Sequence, residues 1–264
     1  MDCQSTTKKL KINKNKCIGT VVVVVEGEED EFRLLKHIFT EILDYNYISM
    51  KRNKVIQHEF MSKDNKNTVI VANTNNSNIK SIIDDDEYKD KLYKLLKTEY
   101  NKSLKNTYIY IIWDRDKDQE DDVKVKSYYK KALNTFTSSL DNDYDMNGLL
   151  LLSYPCYEAF NLSNFQKRYW QNTYCISQKC KKEFNESRQC IKDINEKTLL
   201  LAIENMNLGL LNFNIHDYDP SYFKKVNETV YRKEEELYKT NGYFSALSLI
   251  GVMLVDLGLV IESD

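Results

Sequence analysis

Val21-Val22-Val23-Val24-Val25-Glu26-Gly27-Glu28-Glu29-Asp30-Glu31 is the stretch on which the fold turns. Five consecutive valines read as a strand buried on both faces of a parallel sheet, because β-branched side chains suit the pleat and no position is reserved for solvent. Asp30 and Glu31 then open a helix whose apolar positions, Leu34, Leu35, Ile38, Phe39, Ile42 and Leu43, recur at helical spacing. A strand running straight into a helix is the first half of a βαβ unit. Tyr108-Ile109-Tyr110-Ile111-Ile112-Trp113 repeats the strand pattern and ends on Asp114-Arg115-Asp116. Thr68 to Ala72 and Gly148 to Ser153 supply two further interior strands, the second leading into Tyr154-Pro155-Cys156-Tyr157-Glu158. Pro155 suits the first turn of the next helix, where its missing N–H costs nothing, and this puts Glu158 in that turn.

Open α/β sheets carry their ligand sites at the carboxyl ends of the strands, so these acids are expected on one rim. Carboxylates gathered there repel one another unless a cation neutralises them, and hard oxygen ligands suit Mg²⁺ or Mn²⁺. Two of the acids also fit plainer roles: Asp30 as a helix cap, and Glu158 as a favourable charge at a helix N-terminus.

Strand, Glu-Gly-x-x-Asp, helix, and later strand, Asp-x-Asp: the pair, here Glu26-Gly27-Glu28-Glu29-Asp30 and Asp114-Arg115-Asp116, is similar to the Toprim fold of topoisomerases, bacterial primases and several nucleases. Ser153-Tyr154-Pro155-Cys156-Tyr157-Glu158 resembles the Ser-x-Pro-x-x-Glu segment of the RloB-like and OLD-nuclease branch. The likeness covers roughly residues 20 to 170, and the chain has no ATPase domain of the OLD kind. It implies a mainly parallel α/β sheet flanked by helices. Carried over, Glu26 and Asp30 hold one metal, with Glu31 as the alternative to Asp30, while Asp114, Asp116 and Glu158 hold a second or share it. Glu26, Asp114 and Asp116 are then the catalytic acids of a Mg²⁺- or Mn²⁺-dependent nuclease cutting DNA or RNA. Two metals about 4 Å apart would stabilise the attacking and leaving oxygens of an in-line displacement. The branch further implies an effector of anti-phage defence, with a partner ATPase or a second copy meeting the C-terminal helices. Two other classes fit the same residues: a non-catalytic module binding nucleic acid or an ATPase, and another metal-dependent phosphotransfer enzyme.

Other motifs explain less. As an EF-hand, Asp114 to Asp118 fails, because Gln119 replaces the turn glycine and Val125 stands where the bidentate Glu belongs. A haloacid-dehalogenase-type phosphatase wants Thr or Val where Asp118 stands, and a nucleotide-sugar transferase leaves Glu26-Gly27 without a role. No Gly-x-x-x-x-Gly-Lys loop and no Gly-x-Ser-x-Gly elbow occurs. Cys175, Cys180 and Cys190 lack a C-x-x-C pair, which argues for packing rather than zinc.

A chain of 264 residues with 42% apolar content supplies a sizeable core. Its formal charge of -2 means that a polyanion must be met by local cations. Candidates are Lys8 to Lys16, Lys179 to Lys182, and the aromatic-flanked Lys167-Arg168-Tyr169-Trp170, whose rings would either stack on unpaired bases or seal the sheet against the helices. Six irregularly spaced cysteines and no signal-like N-terminus favour the cytoplasm.

The organisation expected is a basic arm or edge strand over 1–18, a Toprim-like domain over 19–170 and a helical extension over 171–264. Tyr88 to Leu104 reads as an amphipathic cover helix. Tyr243 to Ile261, nearly all apolar, reads as a buried or partner-facing helix rather than a membrane span, since Asp256 lies inside it.

Overall fold

The computed structural model describes residues 9–27, 29–52, 55–73, 79–83, 90, 94, 97, 106–115, 123–140 and 148–263. Asp116 and most of the 88–104 segment lie outside the described residues. The strands are β1 (Leu10–Ile12), β2 (Thr20–Val25), β3 (Asn46–Arg52), β4 (Val55–Met61), β5 (Thr68–Asn73), β6 (Thr107–Asp114), β7 (Leu149–Tyr154), β8 (Thr173–Tyr174), β9 (Phe244–Ser245), β10 (Leu247–Ser248) and β11 (Val260–Glu262). The helices are α1 (Asp30–His37), α2 (Lys80–Ile83), α3 (Val123–Thr135), α4 (Glu158–Ser163), α5 (Ser177–Glu186), α6 (Glu196–Asn212), α7 (Lys224–Asn241) and α8 (Ile250–Asp256).

The protein is α/β, with a mixed, mostly parallel central sheet flanked by helices. Seven strands pair in the order β10-β7-β6-β2-β5-β4-β3. β7, β6, β2 and β5 are mutually parallel, while β10, β4 and β3 join antiparallel at the edges. Val21 to Val25 are each at most 1% exposed, because sheet neighbours and covering helices close both faces of β2. Burying a valine side chain fully contributes about 1.5 kcal/mol or more, so this strand anchors the core.

Register places the strand ends together. Val25 lies opposite Ile112 on one side and Asn73 on the other, and Asp114 lies opposite Ser153. Glu26 therefore leaves the sheet within one residue of the level at which Asp114 does. The α4 helix begins at Glu158 itself, so Pro155, in a cis peptide with Tyr154, precedes it rather than occupying its first turn.

One hydrophobic core runs from the valines of β2 through Leu149 to Leu152 into Leu199, Ile203, Val230 and Val252 of the later helices. The α7 helix packs on β7 and α3, and α6 packs on α4, α8 and β10. The N-terminal stretch contributes β1, paired with β11, and Lys14 bridges Asp44 at 3.3 Å and Glu196 at 2.7 Å.

Tyr243 to Ile261 is not one helix. It forms β9, β10, the short α8 and β11, with Gly258 at a φ of +65° after the helix. Polar partners explain the breaks: Ser245 donates its N–H and hydroxyl to the buried Glu234, and Ser248 meets Ser153 at 2.8 Å across the sheet. Among the described residues no helix is long and apolar enough to cross a membrane.

Candidate functional site

Four carboxylates gather where the parallel strands end. Glu26 follows β2 directly, and its Oε2 accepts the Asp114 N–H at 3.3 Å. Asp114 closes β6 and Glu158 opens α4 behind β7; they are 7% and 6% exposed. Glu31, on the first turn of α1, is 9% exposed. Among the described residues neither Oδ1 of Asp114 nor Oε2 of Glu158 has a hydrogen-bond partner. Buried carboxylate oxygens without partners are costly while they carry charge.

Of the two acids at the start of α1, the inward one is Glu31. Asp30 stays at the surface, its side chain 57% exposed and 3.4 Å from Arg33. Gly27 explains how Glu31 fits. A Cβ at that position would stand 2.5 Å from Glu31 Oε2, while the backbone of Gly27 lies outside the left-handed region. The glycine leaves room for the end of the Glu31 side chain, which would have to shift if a Cβ were added.

The acids raise one another's affinity for protons. Burial pushes Asp114 well above the usual carboxylate range, and the charges of Glu26, Glu31 and Glu158 push it further. Glu31 is raised by burial first and then by Asp30, against a backbone hydrogen bond from Gly27. Glu158 is raised by burial and by Glu31, against a hydrogen bond from the Cys156 thiol. Lys181 on α5 opposes the rise at all three. Its signal in the sequence is the basic run Lys179 to Lys182, but the run does not indicate which lysine faces the acids.

The donor set, oxygen throughout with two oxygens lacking partners, fits a hard divalent cation. Among the described residues, however, no three His, Cys, Asp or Glu side chains stand close enough together to hold a metal ion. Of the five expected ligands, Glu26 and Glu158 lie near enough to Asp114 for their charges to act on it, Asp30 points outward, and Asp116 lies outside the described residues.

Behind the rim lies a feature that sequence reasoning missed. Arg115, only 2% exposed, turns away from the acids and donates Nε and Nη2 to Glu235 Oε1 at 2.9 and 2.5 Å. Its guanidinium lies 4.7 Å from the ring centre of Tyr129, whose hydroxyl donates to the Asp114 carbonyl at 2.8 Å. A cavity of about 540 Å³ between α3 and α7 reaches Lys126, Tyr231 and Glu235 on this side. Tyr169 is fully buried, its N–H on Asn205 and its hydroxyl bonded to that of Tyr174, so it seals the helices and is closed to base stacking.

Comparison with family models, with curated proteins and with solved structures returned no match.

Proposed function

We propose that the chain is a Mg²⁺- or Mn²⁺-dependent Toprim-like nuclease that hydrolyses DNA or RNA phosphodiesters in the cytoplasm. The single observation that carries this reading is the meeting of Glu26, Glu31, Asp114 and Glu158 at the ends of parallel strands, with two buried oxygens lacking partners among the described residues. Asp114 together with one neighbouring acid, Glu26, Glu31 or Glu158, would contribute to holding the cation, with Asp116 as a further ligand. Bound there, a divalent cation would neutralise the charge developing on the phosphoryl group. Glu26, at the strand tip, accepts the proton of the attacking water, and Lys181 draws the polyanion toward a rim otherwise acidic. A role as an effector of anti-phage defence, alongside a partner ATPase or a second copy at the C-terminal helices, extends the same resemblance.

The test is incubation with single-stranded, duplex and structured DNA and RNA in Mg²⁺ or Mn²⁺. Cleavage that disappears in Glu26→Gln and Asp114→Asn supports the nuclease. A second reading, a module that binds nucleic acid without turnover, is favoured by the lack of three gathered ligands among the described residues. Retained binding with no cleavage by the native protein would establish it. Hydrolysis of small phosphomonoesters that survives Glu26→Gln and is lost in Asp114→Asn would instead identify another phosphotransfer enzyme.

A further inference from the structure

We infer that the loop from Gln166 to Trp170, between α4 and β8, is a contact site for the phosphates of a nucleic-acid strand, with Lys167 and Arg168 as the cations that hold them; this rests on the nucleic-acid reading above. Between Glu158 and Glu183 the chain carries Lys167, Arg168, Lys179, Lys181 and Lys182 and no acid, although its formal charge as a whole is -2. Of these cations, Lys181 acts on the rim acids and Lys182 pairs with Glu186 at 3.6 Å. Lys167 and Arg168 are exposed and make no ion pair among the described residues. The α4 helix that leads to them from Glu158 has six residues, about 9 Å, so they stand within the span of a few nucleotides of the rim.

Arg168 is held in a conformation that its own residue type resists. Its φ of 57° and ψ of 31° lie in the left-handed region, which side chains other than Asn and Asp rarely enter. Among the described residues the other non-glycine positions with positive φ are Asp44, Asn65, Asn106 and Asn214, all of the tolerant kind. Asn205, 2% exposed, fixes the loop: it accepts the Tyr169 N–H at 2.7 Å and donates to the carbonyls of Ser163 and Gln166, both at 2.9 Å. The Arg168 carbonyl is tied in turn by the Gln171 N–H at 3.0 Å. Backbone preference therefore does not account for an arginine here, and neither does any ion pair that its exposed side chain makes among the described residues. A cation on a backbone already ordered loses less entropy when it grips a ligand, and a guanidinium meets phosphate oxygens two at a time. Lys167 adds a second charge beside it.

Binding of a fluorescent single-stranded oligonucleotide to the full chain, read by anisotropy in EDTA so that no metal takes part, tests this. Arg168→Asn removes the charge and suits the left-handed backbone; Lys167→Gln removes the neighbouring charge. Each variant is expected to bind roughly 5-fold more weakly at about 0.1 M salt, and to lower the slope of log affinity against log salt by about 0.7, the share of one phosphate on a single strand. Arg168→Asn is also expected to melt no lower than the native protein, which separates a lost contact from a damaged fold. Lys63→Gln, in the turn between β4 and β5 at the opposite end of the parallel strands, is expected to match native binding. Unchanged affinity and slope in either folded variant overturn the proposal, and so does an Arg168→Asn protein that fails to fold, because the arginine is then structural. Native protein that binds no oligonucleotide, or binds polyglutamate as tightly, overturns it as well. Loss of binding in the two variants of a native protein that never cleaves with Mg²⁺ or Mn²⁺ defeats the nuclease reading and leaves this contact standing; native cleavage with both variants binding normally does the reverse.

Discussion

Two sets of wholly or partly buried carboxylates lie near the ends of β6 and β7, and they are finished differently. On one side, Glu234 and Glu235 of α7 are satisfied: Glu234 accepts from the N–H and hydroxyl of Ser245, and Glu235 meets Arg115 and Lys126. On the other, Asp114 and Glu158 each leave a buried oxygen without a partner among the described residues, and neighbouring acids face them. Glu234 is as buried as Asp114 and Glu158, so burial alone does not separate the two sets. What separates them is that the chain supplies donors to Glu234 and a counter-charge to Glu235. The satisfied pair ties α7 to neighbouring elements, whereas the rim acids keep buried oxygens without partners among the described residues.

The two sides differ most at Glu235, since Glu234, like Asp114, is raised by burial and by a neighbouring acid. The largest effect is expected at Glu234, whose carboxyl burial pushes up to about 8 from an ordinary value of 4.5. A carboxyl raised on folding favours the folded state while protonated. Its contribution is whole below the unfolded value and declines as pH rises through the folded one. Denaturant unfolding of the native protein should therefore lose up to about 5 kcal/mol between pH 4.5 and 8 on this account, and Glu234→Gln should flatten that slope. Equal slopes in the two proteins would show that Glu234 stays ionised.

Asp114→Asn should lower cleavage by roughly 10³-fold while raising the melting temperature of metal-free protein, since a buried and crowded charge is removed. A fall in both would place Asp114 with the structural carboxylates. Glu235→Ala should do the reverse in stability, costing about 3 to 5 kcal/mol because Arg115 is left buried without its ion pair, which equilibrium unfolding would measure. Mg²⁺ or Mn²⁺ at about 100 times its Kd should stabilise the native protein by about 2.7 kcal/mol, seen as a rise in melting temperature, and should do much less for Asp114→Asn. Equal rises would move the cation away from this rim.

The smallest difference separates two adjacent acids. Asp30→Asn, at an exposed ion pair, should change stability by less than about 0.5 kcal/mol. Glu31→Gln should stabilise the metal-free protein and weaken Mn²⁺ binding. Identical behaviour of the two variants would erase the distinction between the outward and the inward acid at the start of α1.

The strands carrying the rim are legible residue by residue. Val21 to Val25, Tyr108 to Trp113 and Leu149 to Leu152 are apolar at every position, a pattern tolerated only where both faces of a sheet are covered. Their acidic ends follow from where the apolar runs stop. Less legible are Tyr243 to Ile261, where uninterrupted hydrophobicity gives no period to distinguish strand from helix, and the breaks depend on Glu234 and Ser153 from elsewhere in the chain.

Sequence by itself thus determined that Glu26, Asp114 and Glu158 end strand-like runs or open the helix behind one, because local composition governs where a buried run can stop. Tertiary structure alone decided that Glu31 rather than Asp30 turns inward and that Arg115 is bound 120 residues away by Glu235. Such choices depend on which surfaces meet after folding, and no periodicity along the chain records a contact between segments so far apart.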